Sequence, residues 1–149
     1  KTGTIEAYPV KEKKTRRRIE ERTVLLILDG RHVAVRKRPE QGLLAGLYEF
    51  PNTEGRLMED QVLSFVEERG LMPLQILPLP DAKHIFSHVE WHMTGYVVKI
   101  AEPETAFDRE LIFVETQEAQ EHYPMPAAFA AYASYMDLRL GQEKYQDKK

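Results

Sequence analysis

Residues 22–39, RTVLLILDGRHVAVRKRP, constrain the fold more than any other stretch. Val24 to Leu28 is a run of β-prone apolar residues, Asp29-Gly30 is a two-residue turn signal, and His32 to Arg38 alternates. The pattern predicts a β-hairpin, and the remaining segments have to be read as what surrounds it.

Downstream, QGLLAGLYEFPN brings Gly42, Gly46 and Pro51 around a short strand candidate, Leu47 to Phe50. EDQVLSFVEERGL follows with Val62, Phe65, Val66 and Arg69 at helical spacing, Asp60 near the start and Gly70 where a terminating glycine belongs. An amphipathic helix of about three turns is predicted there. After the proline-punctuated MPLQILPLP come strand candidates around residues 83–87 and 89–100, then Leu111 to Val114. MPAAFAAYASYMDLRL predicts a closing alanine-rich helix opened by Pro126. Together these elements predict an α/β sandwich, a mixed sheet with helices on both faces.

The chain has 149 residues, the size of one domain able to bury roughly two thirds of its unfolded surface. No apolar run approaches the roughly 20 residues that span a bilayer, so no membrane partner is expected. The absence of cysteine excludes disulfides, thiolate zinc sites, iron–sulfur ligation and a cysteine nucleophile, and fits a reducing compartment. The first residue is Lys1 and no signal-peptide pattern follows, so the chain reads as a piece of something longer.

Charge divides the chain unevenly. Residues 1–22 hold eight Lys/Arg against four Glu, whereas the net charge of the whole is −3. The expected organisation is a basic linker at 1–22, a folded domain at 23–141 and a polar tail at 142–149. Lys11, Lys13, Lys14, Arg16, Arg17 and Arg18 are either a solvated arm or contacts to DNA phosphate. The acidic remainder would bind nucleic acid poorly through charge alone.

KHIFSHVEWHMTGY, residues 83–96, concentrates three of the five histidines and the only tryptophan. On a helix, His84, His88 and His92 would align for zinc. The alternation after Ser87 predicts a strand instead, on which residues four apart are roughly 13 Å apart. A Ser87–His88 hydrolase dyad is disfavoured because adjacent strand residues point to opposite faces and no G-x-S-x-G elbow surrounds them. The remaining reading is a Phe86-Ser87-His88 turn between two strands that offers polar atoms to a flat ligand. Phe86 is open to core packing or to wedging against a base, and Trp91 reads as core.

The order of LYEFP, a variable loop and Glu67-Glu68-Arg69-Gly70-Leu71 resembles the Nudix family, whose motif is G-x5-E-x7-R-E-U-x-E-E-x-G-U with U apolar. In that family the glutamates hold Mg²⁺ against a diphosphate. Here Leu63 and Ser64 stand where the family has Arg-Glu, and Gly55, or Glu59 if the loop is shorter, stands at the first glutamate. Of the acidic set, Glu67 and Glu68 remain, too few oxygens for a hard cation.

More specifically, Pro9-Val10-Lys11, Gly42 through Pro51 and His84 through Trp91 together resemble the C-terminal domain of MutY-type adenine DNA glycosylases. That resemblance implies a Nudix-like domain that reads 8-oxoguanine in duplex DNA opposite adenine, with Phe86, Ser87 and His88 at the lesion. It implies a non-catalytic fragment whose partner is an N-terminal catalytic domain carrying a 4Fe-4S cluster, with no cofactor in the fragment itself and a cytoplasmic, nucleoid-associated location of bacterial type. The alternatives are an active Mg-dependent pyrophosphohydrolase on oxidised nucleotides and a protein-interaction module.

Overall fold

The computed structural model describes residues 17–104, 106–123 and 126–137. The expected hairpin is its centre: β1 (Arg18–Asp29) turns through Gly30 and Arg31 into β2 (His32–Lys37), with Leu28 opposite Val33 and Asp29 opposite His32. Two short strands follow, β3 (Tyr48–Glu49) and β4 (Asn52–Glu54), then helix α1 (Glu59–Glu68). β5 (Pro73–Ile85) and β6 (Val89–Ile100) form the second, longer hairpin. β7 (Ile112–Glu115) and helix α2 (Thr116–His122) complete the middle of the chain, and helix α3 (Ala130–Ala133) lies between 3-10 turns at Ala127–Phe129 and Ser134–Asp137.

The main path of the sheet is β3-β2-β1-β6-β5, with β4 against β1 and β7 against β2. β1 and β6 run parallel, from Arg18 opposite Val89 to Leu28 opposite Lys99, and the other pairings are antiparallel. The sheet is therefore mixed. Alternation sends Val24, Leu26 and Trp91 to one face with Phe129 and Tyr132, and Leu25, Ile27 and Val98 to the other with Val62 and Val66 of α1. Helices cover both faces, as the sequence predicts.

Gly70 ends α1 for a steric reason. Its φ is +82°, and a Cβ there would lie 2.7 Å from the Ala106 carbonyl oxygen.

Four expectations change. β1 begins at Arg18, so residues 18–22 belong to the sheet and not to a linker; residues 1–16 and 138–149 lie outside the described residues. Pairing with β6 on one side, and with β4 from Arg22 onward, outweighs the high charge of RIEER. Secondly, MPLQILPLP is largely strand. β5 is the edge of the sheet, where Pro73, Pro78 and Pro80 cost little, and its pairing shifts register between Leu79 and Ala82. Thirdly, α2 is a helix that the sequence did not predict. Finally, the alanine-rich closing segment is broken into short turns, because Phe129, Tyr132 and Tyr135 pack on the core at three-residue spacing.

Candidate functional site

The turn Phe86-Ser87-His88 does join two strands, β5 and β6. Phe86 N–H donates to the Val89 carbonyl at 2.7 Å and closes it. Two more bonds arrive from the start of the sheet: Arg17 Nε donates to the Phe86 carbonyl at 3.1 Å, and Arg18 N–H donates to the His88 carbonyl at 3.2 Å. Ser87 and His88 are exposed, and Phe86 is half-buried. Among the described residues, neither the Ser87 hydroxyl nor its N–H has a protein partner.

Phe86 is tied inward by its ring. It meets Trp91 edge-on at 5.1 Å and His84 at 4.8 Å, and Trp91 in turn meets Phe129 at 5.8 Å. Trp91 is 1% exposed, so an aromatic chain runs from the turn into the core. The Trp91 Nε1–H donates to Glu20 at 3.1 Å, and the guanidinium groups of Arg22 and Arg38 lie 5.2 and 5.7 Å from its ring centre. Of the two readings of Phe86, its surroundings are those of packing.

The three histidines do not converge. His84 pairs with Trp91 and shares its side of the sheet, whereas His92, next to Trp91 along β6, takes the opposite side. There His92 Nε2 contacts Glu90 at 2.7 Å, and Lys83 and Arg17 approach the same carboxylate at 3.6 and 3.9 Å. These contacts, His92 foremost, hold the Glu90 carboxyl below the usual carboxylate range. On the Trp91 side, the hydrogen bond from Arg18 does the same for Glu20. The sequence did not predict these partners, since Trp91 and Glu20 are 71 residues apart.

Of the cations expected to touch phosphate, Lys11, Lys13, Lys14 and Arg16 lie outside the described residues. Arg17 is engaged with Phe86 and Glu90, and Arg18 with Glu20 at 2.8 Å.

The acidic helix is a poor cage for a cation. Glu67 and Glu68 are both exposed. Glu68 lines a cleft of about 290 Å³ with Asp60 and Ser64. Asp60 and Glu68 are two helical turns apart, roughly 12 Å along the axis. Of the two residues that could stand at the first motif glutamate, Gly55 accepts the Thr23 hydroxyl at 2.8 Å through its carbonyl, and Glu59 is exposed at the start of α1. Among the described residues no three His, Asp or Glu side chains gather as a metal site. The donor set therefore does not fit the Mg²⁺ of an intact motif.

A mixed sheet with helices on both faces and a loop feeding α1 is the architecture of a Nudix-like domain. Residues 23–135 match the family described as the NUDIX domain, and the chain belongs to that family. Solved structures with the same fold include the C-terminal domain of mouse MUTYH in complex with human PCNA, with a TM-score of 0.63 and 19% identity over 86% of this chain and 90% of that one. A MutT Nudix hydrolase from Burkholderia pseudomallei has a TM-score of 0.60 and 16% identity, covering 78% of this chain and 97% of its own. MutT from Bacillus halodurans has a TM-score of 0.56 and 17% identity, covering 77% and 80%. At these identities the likeness establishes the fold. Among the described residues no helix is long and apolar enough to cross a membrane.

Proposed function

We propose that this chain is the lesion-recognition domain of an adenine DNA glycosylase of base excision repair. In this reading it meets 8-oxoguanine in duplex DNA, opposite the adenine that an N-terminal catalytic domain with its 4Fe-4S cluster removes. The observation that carries the reading is Ser87, an exposed residue in a turn fixed on both sides, whose hydroxyl and N–H have no partner among the described residues. Guanine presents acceptors at N7 and O6; oxidation turns N7 into a donor and adds an acceptor at O8. The Ser87 hydroxyl oxygen can accept from N7–H while a donor meets O8, an arrangement that guanine cannot satisfy. His88 supplies a second polar group at the apex, and Phe86 anchors it. The scarcity of metal-holding carboxylates supports this over pyrophosphate hydrolysis.

The test is titration of the labelled chain with duplexes containing 8-oxoguanine·adenine or guanine·adenine. A preference for the lesion of about tenfold to a hundredfold is expected, with amide shifts centred on residues 84–92, and Ser87→Ala removes it. Equal affinity for the two duplexes, or Mg-dependent pyrophosphate release from 8-oxo-dGTP that Glu67→Gln abolishes, overturns the reading. A second reading, a protein-docking module, draws on the MUTYH domain having been solved with PCNA. Its signature is partner binding that maps away from residues 84–92.

A further inference from the structure

We infer that Arg17 is a positioning residue for the Ser87 turn, coupling the segment that enters the sheet to the atoms that face the lesion. The inference rests on the lesion-reading proposal, but its geometry does not. Arg17 immediately precedes β1 and uses its side chain on the turn, donating from Nε to the Phe86 carbonyl at 3.1 Å. Its Nη1 lies 3.9 Å from Glu90, a carboxylate held on its other sides by Lys83 and His92. The guanidinium thus bridges the peptide just before Ser87 and a fixed anion on β6. Arg's planar, rigid set of donors suits such a bridge.

Arg18 is the internal control. It carries the same charge one residue later, yet its side chain goes to Glu20 and its only bond to the turn is through its own backbone N–H. Replacing it with alanine keeps that bond. Its side chain is 67% exposed, against 33% for Arg17. Two alanine substitutions therefore remove equal charge from adjacent positions, and only one unfastens the turn.

That difference separates positioning from phosphate contact. A cation that neutralises a phosphate contributes about 0.9 to the slope of log affinity against log salt, whatever base is present. A positioning residue leaves the slope alone and changes the preference between bases.

The experiment compares the whole 149-residue chain with Arg17→Ala and Arg18→Ala. Without DNA, amide exchange at Phe86, whose N–H closes the turn, is expected to rise about tenfold in Arg17→Ala and to stay near wild type in Arg18→Ala. With DNA, Arg17→Ala lowers the 8-oxoguanine preference by about tenfold at an unchanged salt slope, whereas Arg18→Ala keeps the preference. Equal exchange in the two variants overturns the coupling, as does a loss of salt slope in Arg17→Ala with the preference intact. If the wild type shows no lesion preference, the lesion-reading proposal falls while the exchange comparison still decides whether Arg17 holds the turn.

Discussion

At the scale of single residues, the tightest steric constraint lies in the middle of β6 rather than in the turn. Gly95 sits in β6 opposite Val24, and a Cβ added there would come 2.4 Å from Tyr132 Cε1 and 2.8 Å from Cζ. The ring cannot step aside easily, because Tyr132 is 1% exposed and its hydroxyl donates to the Pro80 carbonyl at 2.9 Å, inside the register shift of β5. Burial also pushes the Tyr132 hydroxyl pKa well above the ordinary phenol value, so it remains a neutral donor. Gly95→Ala is expected to destabilise the fold by about 1–3 kcal/mol in urea titration, the usual cost of overpacking. Gly95→Ala combined with Tyr132→Leu should lose less than the sum of the two single changes, because the second removes the ring that the new methyl meets. Strict additivity would show that the clash is relieved elsewhere.

At the scale of elements, the two-residue β3 is held by the packing of Tyr48 on the core and by a buried charge cluster. It presents Glu49, whose side chain is 3% exposed, to Arg36 at 2.8 Å, to Arg38 and to the Asn52 amide at 2.8 Å. Arg36 also donates to the Asn52 carbonyl at 2.7 Å, and Arg38 to the Leu43 carbonyl at 2.9 Å, so one carboxylate organises the strand and the loop before it. Glu49→Gln leaves two partly buried guanidinium groups without their counter-charge and is expected to cost about 3–5 kcal/mol by chemical denaturation. A loss under 1 kcal/mol would mean that water replaces the carboxylate. Pairings between distant residues of this kind were not legible in the sequence, whereas local patterns were. The β1–β2 hairpin, α1 and β6 were readable because periodicity and turn residues are local signals, and the turn at 86–88 was readable from the break between two strand patterns. The start of β1 was hidden because RIEER looks solvated until its distant partners on β6 are known. α2 was hidden because TQEAQEH has a single apolar residue and no helical stripe. The role of Arg17 was hidden too, since its contacts lie on residues about seventy positions away.

For the whole molecule, the parallel pairing of β1 with β6 has a consequence that neither strand has alone. Parallel strands begin at the same end of a sheet, so the chain's entry at Arg17 and the turn before Val89 are neighbours by topology. Glu20 and Glu90 stand at that end on opposite faces, each holding side chains of the turn's surroundings: the Arg18 cation on one side, and the cations Arg17 and Lys83 with the His92 imidazole on the other. Both carboxyl groups titrate below their ordinary values in the folded protein. Folding therefore favours their ionised forms. Their contribution to stability is complete above the unfolded value of about 4.3 and disappears as pH falls through the lower folded values. Because both lie at one end, acid should loosen that end before the centre of the sheet. Amide exchange, corrected for its intrinsic pH dependence, is expected to accelerate at Arg18 and Phe86 as pH drops from 6 to 3, ahead of Leu26 and Val97 in the core strands. The double change Glu20→Gln and Glu90→Gln should flatten this response, since neither amide titrates. Uniform acceleration across all four amides in the unaltered chain would instead show that acid acts on the sheet as a single unit, with no separate clasp at the turn.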